Sequence, residues 1–126
     1  MYFSLDSLDI EYNDDNTPIF SFTDDTNHKI VVNYWSERDG GHLCSITNYK
    51  NNRLRGTRHH WWSMQDGGHL FSITNYKNNQ LHGIQYQWWS TQNGGHQLSI
   101  ENYKNDQLHG IQHYWKIDGS YYTEHY

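Results

Sequence analysis

The chain has no alanine, a single proline and a single cysteine. With Tyr, Trp, Thr, Ile and Asn prominent instead, strand and turn formers outnumber helix formers, so an all-β protein is expected. Cys44 has no partner within the chain, which removes a disulfide scaffold and suits a reducing compartment. The first residues, MYFSLDSLDIEY, hold neither a basic region nor a long apolar run. No signal peptide or membrane span is expected there, and the cytoplasm is the expected location. Apolar residues make up 34%, below the roughly 45–50% of an average domain. That shortfall does not imply disorder, because 17% of residues are aromatic and only 18% charged.

Charge is unevenly placed. Residues 1–29 carry Asp6, Asp9, Glu11, Asp14, Asp15, Asp24 and Asp25 against Lys29, so seven acids less one base leave −6. The rest carries eight Lys or Arg against seven acids, or +1. Nucleic acid binding calls for a basic stripe that this balance does not supply. The expected organisation is an acidic leader or cap over 1–29 and a repeat domain over 30–126.

The repeats are close to literal. NYWSERDGGHLCSITNYKNNRLRG is followed by HWWSMQDGGHLFSITNYKNNQLHG and QWWSTQNGGHQLSIENYKNDQLHG. Trp35, Trp62 and Trp89 are spaced by 62 − 35 = 27 and 89 − 62 = 27, and Gly41, Gly68 and Gly95 keep the step. Three full units precede a truncated fourth, GIQHYWKIDGSYYTEHY.

Within a unit, GIQYQWW alternates, with Ile84, Tyr86 and Trp88 on one face and Gln85, Gln87 and Trp89 on the other. Asn93-Gly94, like Asp66-Gly67 and Asp39-Gly40, suits a hairpin turn. If that turn centres near Gln92 and Asn93, Trp88 falls opposite Leu98, and Trp61 opposite Phe71. The expected core is three ladders: Tyr34, Trp61, Trp88 and Trp115; Ile30, Thr57, Ile84 and Ile111; and Cys44, Phe71 and Leu98. The phrase NYKNNQLHG is the connector, in which Asn78-Asn79 or Asn105-Asp106 tolerates left-handed geometry and Gly83 or Gly110 allows a tight turn. Hairpins too weak to stand alone would stack and bury one another's faces.

YKNNQLHG and YKNDQLHG, each followed by an aromatic strand and an Asn-Gly or Asp-Gly turn, resemble the membrane occupation and recognition nexus (MORN) repeat in a variant form. The resemblance covers about residues 28–126 and rests on Tyr49, Leu54 and Gly56, Tyr76, Leu81 and Gly83, and Tyr103, Leu108 and Gly110. Asn52, Asn79 and Asp106 stand where that family has a glycine, and the period of 27 is longer than usual for it. The resemblance implies an elongated single-layer meander of hairpins that serves as a scaffold, an interaction module or a lipid-contacting surface. Such repeats also occur in proteins labelled antitoxins and in large DNA viruses, so a virion component is an alternative location.

Histidines recur at His42, His69 and His96. No carboxylate or thiolate completes a metal shell at that spacing, so each is read as closing its turn, and no metal or other cofactor is expected. Cys44 takes the place of Phe71 and Leu98, which makes it a small core residue rather than a nucleophile. Repeated residues are poor material for a unique active site, and no enzyme is expected. The candidate partner surface is the row Trp35, Trp62 and Trp89 with Arg58, His60, Gln85 and Gln87 beside it. An alternative is that these Trp residues pack on Leu43 and Leu70 as a second small core. At the C-terminus, Tyr121, Tyr122 and Tyr126 lie on a last strand expected to meet another protein or a second copy; lipid is possible and nucleic acid unfavoured.

Overall fold

The computed structural model describes residues 7–126, so Asp6 and the rest of residues 1–6 lie outside it. The strands are β1 (Leu8–Tyr12), β2 (Pro18–Thr23), β3 (His28–Tyr34), β4 (Leu43–Lys50), β5 (Arg53–Trp61) and β6 (Leu70–Lys77). They continue as β7 (Gln80–Leu81), β8 (Gly83–Trp88), β9 (Gln97–Lys104), β10 (Gln107–Leu108), β11 (Ile111–Trp115) and β12 (Tyr121–His125). All belong to one antiparallel sheet in meander order, β1-β2-β3-β4-β5-β6-β8-β9-β11-β12, with β7 on β6 and β10 on β9. The all-β meander of hairpins is therefore the architecture. Residues 8–23 of the acidic leader are two strands of the same sheet, and the expected boundary after residue 29 falls inside β3.

Connections alternate between two kinds. At one end, Asn51-Asn52, Asn78-Asn79 and Asn105-Asp106 have φ between 49° and 67°, and form two-residue turns with both central residues left-handed. Asn side chains tolerate this region better than branched residues do. At the other end the Asp-Gly and Asn-Gly pairs are not two-residue turns. Each belongs to a longer loop built on a 3-10 turn, at Glu37–Asp39, Met64–Asp66 and Thr91–Asn93. Gly67 closes one such loop at φ 103°, and a Cβ there would sit 1.9 Å from Thr91 Oγ1.

These loops change the register by one residue. Gln87 pairs with Ser99 but Trp88 pairs with Gln97, which leaves Leu98 as the extra residue of a β-bulge. The same break leaves out Phe71 between Ser72 and Leu70, and Cys44 between Ser45 and Leu43. Trp88 therefore lies opposite Gln97 and Trp61 opposite Leu70, not opposite Leu98 and Phe71 as expected. The third expected ladder moves to the other face.

No hydrophobic residue among the described ones is buried. The expected core face is half-exposed: Trp61, Trp88 and Trp115 are partly covered, and Ile84 and Ile111 are 40% and 45% exposed. The buried side chains are polar: Ser45, Ser72, Ser99, Thr47, Gln85 and Gln112 lie on the opposite face, and Thr17, Ser63 and Ser90 in the connections between strands. A single layer has no second sheet to cover either face, so no large apolar side chain among the described residues becomes enclosed.

Candidate interaction surface

The row chosen from the sequence holds the units together. Trp35 Nε1 donates to the carbonyl of Trp61 at 3.2 Å, Trp62 Nε1 to that of Trp88 at 3.3 Å, and Trp89 Nε1 to that of Trp115 at 3.0 Å. Each bond reaches from one unit into the next. Trp62 also lies against Phe71, their ring centroids 4.3 Å apart. All three indoles are half-buried. They do not pack on Leu43 and Leu70, which pair with Tyr34 and Trp61 on the other face.

The histidine ladder runs in parallel. Nε2 of His42 lies 2.8 Å from the Trp62 carbonyl, Nε2 of His69 2.9 Å from that of Trp89, and Nε2 of His96 2.8 Å from that of Lys116. These bonds fasten neighbouring units instead of closing each histidine's own turn. They assign the Nε2–H tautomer and take that nitrogen out of metal coordination. Lys116 stands where a second Trp would continue the row, so the indole ladder ends at the Trp115 carbonyl and the histidine ladder at that of Lys116.

The Asn residues explain the connector. Leu54 N–H donates to Asn79 Oδ1 at 2.7 Å, and Leu81 N–H to Asp106 Oδ1 at 2.6 Å. A glycine in those turns would keep the backbone shape and lose the bond to the preceding unit. The first Asn of each phrase caps the strand irregularity: Asn48 Nδ2 donates to the Thr57 carbonyl at 2.8 Å, Asn102 Nδ2 to that of Ile111 at 2.9 Å, and Asn75 Nδ2 to that of Ile84.

Gln85 and Gln87 do not form a free recognition edge. Gln85 is 7% exposed with its Nε2 unbonded, and Gln87 accepts a bond from Ser99 Oγ. The equivalent of Gln85 one unit on, Gln112, is fully buried. It accepts from Asn102 N–H at 2.5 Å and donates to the carbonyls of His109, Gly110 and Asn102. Arg58 occupies the same place in the second unit, half-buried with its Nε unbonded. Of the three, Gln112 bridges the backbone groups left unpaired between β9 and β11; the periodicity marks the position but not the gap.

His60 is half-buried among Trp35, Phe71 and Cys44, with its Nε2 3.7 Å from Cys44 Sγ. Burial, aided by Arg58, holds the imidazole below its ordinary value of 6.5. Burial also raises the Cys44 thiol, against the pull of Arg58. A thiol pushed upward stays protonated and is a poor nucleophile.

The exposed apolar surface is elsewhere. Tyr34, Trp61, Trp88 and Trp115 form one row, with Ile46, His59, Ile73, Tyr86, Ile100 and His113 beside it. His59 stacks on Trp61, Tyr86 on Trp88 and His113 on Trp115, at 5.9, 6.1 and 6.4 Å. Ile84 and Ile111 extend this face, and neither row holds a charged residue. Tyr121, Tyr122 and Tyr126 are exposed on or beside the last strand, as the sequence places them. Among the described residues no helix is long and apolar enough to cross a membrane. No family model, curated protein or solved structure matches the chain.

Proposed function

We propose that this chain is a non-enzymatic scaffold of MORN-like repeats that works by protein–protein contact, as an interaction or assembly module. The uncharged face of Trp61, Trp88, Trp115, Ile84 and Ile111 carries the reading. A contiguous apolar patch left open on a folded chain is the usual mark of a protein-contact surface. The row Trp35, Trp62 and Trp89 spends its indole N–H groups on the sheet itself, so the contact surface moves to the opposite side. A chain with one cysteine suits the reducing cytoplasm, or a virion assembled there.

The test is capture from the native source with the full chain and with an Ile84→Arg, Ile111→Arg variant, read by quantitative mass spectrometry. Both sites are exposed, so the variant should keep its melting temperature and lose the captured protein. Equal recovery by both chains would remove this face from the reading. Binding of the wild type to anionic vesicles, lost in the variant, would replace a protein partner with a lipid surface.

A further inference from the structure

The two ends of the sheet differ in what they can pair with. Among the described residues β1 and β12 are its edges. Gly110 and Tyr126 exchange both backbone bonds, at 3.0 and 2.8 Å, and Lys116 N–H donates to the Ser120 carbonyl at 2.8 Å. In an antiparallel ladder, opposite residues alternate between exchanging both bonds and none. The backbone groups of Tyr122 and Glu124 therefore face β11, and those of Tyr121, Thr123 and His125 face outward. All five residues of β12 are exposed.

We propose that β12 of one copy pairs antiparallel with β12 of a second copy, about a two-fold axis at Thr123, joining two sheets edge to edge. This rests on the reading of the chain as an assembly module and names the partner for its C-terminal end. In this register Thr123 meets Thr123, Tyr121 meets the second copy's His125, and Tyr122 meets the second copy's Glu124. Every outward N–H and C=O of the three outward-facing residues is used. The side-chain matches are ones the chain already makes: Tyr121 OH lies 2.5 Å from His113 Nδ1, and Tyr126 OH donates to Glu124 at 2.7 Å.

The other edge pairings are disfavoured by charge. Asp9 and Glu11 of β1 pair with Ser21 and Ile19, the sheet face that also carries Tyr122 and Glu124. Laying β1 along the full length of β12 sets Glu124 against Asp9. Pairing β1 with itself about Ile10 sets Asp9 against Glu11. Like charges directly opposite destabilise a strand pair. Of these three full-length antiparallel pairings, β12–β12 alone puts no acid against an acid, and an isologous contact of this kind closes as a dimer, where β1 on β12 would grow an open filament.

The test uses the full chain with Cys44→Ser and Thr123→Cys. Opposed Cα atoms in a bonded antiparallel pair lie about 5.5 Å apart, inside the roughly 4.4–6.8 Å span of a disulfide. In a glutathione redox buffer this variant should convert to disulfide-linked dimer, while Tyr122→Cys and Asp25→Cys in the same background should not. Thr123→Pro removes an outward N–H and leaves the ladder to β11 intact, so its melting temperature should hold while light scattering moves from dimer to monomer. A wild type that stays monomeric at high concentration overturns the proposal. So does a dimer that survives Thr123→Pro, or one whose cysteines link equally well at all three sites. If Thr123→Pro fails to fold, the cross-linking pattern decides alone. A monomer that still loses its captured protein on Ile84→Arg, Ile111→Arg leaves the interaction reading standing without the dimer.

Discussion

The indole of Trp62 rests on the ring of Phe71 at 4.3 Å, although simple alternation would put Phe71 opposite Trp61. The bulge that leaves Phe71 between Leu70 and Ser72 makes this contact. Trp62 also donates to the Trp88 carbonyl. Trp62→Ala should therefore cost about 2–4 kcal/mol, near the low side of a core aromatic because the ring is only half-buried. Trp62→Phe should keep much of the packing and lose about 1 kcal/mol for the bond. Urea titration measures both, and equal losses for the two variants would discard the indole ladder.

Gln112 and Gln85 occupy one repeat position and should respond in opposite ways. Gln112→Met strands Asn102 N–H and the His109 carbonyl, while the Asn102 and Gly110 carbonyls keep the N–H groups of His109 and Tyr126, and should destabilise by about 2–3 kcal/mol. Gln85→Met removes a buried, unbonded amide nitrogen and should be neutral or stabilising by about 1 kcal/mol. Thermal melts of the pair check the assignment; a common sign for both changes would contradict it.

Asn79 should separate turn shape from the bond between units. Asn79→Gly keeps a left-handed residue at φ 67° and loses the acceptor for Leu54 N–H, a cost of about 1 kcal/mol. Asn79→Val adds a branched side chain in that region and should cost about 1–2 kcal/mol more. Hydrogen exchange at the Leu54 amide should quicken in both variants. Unchanged protection there would mean that the side-chain bond contributes nothing.

Stability should fall as pH drops below about 6.5. His60 has its folded value held below 6.5 by burial, so the unfolded chain binds the proton more readily. The contribution is complete above the ordinary value and is lost as pH falls through the window beneath it. Asp15, Asp24 and Asp118, lowered by hydrogen bonds to Thr17, Thr26 and Ser120, act in a separate window below 3.8. His60→Phe should flatten the upper window and leave the lower one. A profile still sloping equally near pH 6 in that variant would assign the effect to other histidines.

The sequence by itself determined the period of 27, the strand alternation and the tight corners, because these are local matters. Asn78-Asn79 and Gly83 adopt positive φ, as do their equivalents in the neighbouring units, and GIQYQWW forms a strand over Gly83–Trp88. Which face is enclosed is a different kind of fact. It depends on one extra residue per loop, at Cys44, Phe71 and Leu98, that moves a whole ladder across the sheet. The expectation of a Trp88 core assumed unbroken register, and the 3-10 loops break it. The roles of Trp35, Trp62, Trp89 and the three histidines likewise follow from partners 20 or 26 residues away. Periodicity marks such residues as equivalent, but only the stacked sheet brings each donor to the carbonyl of the next unit.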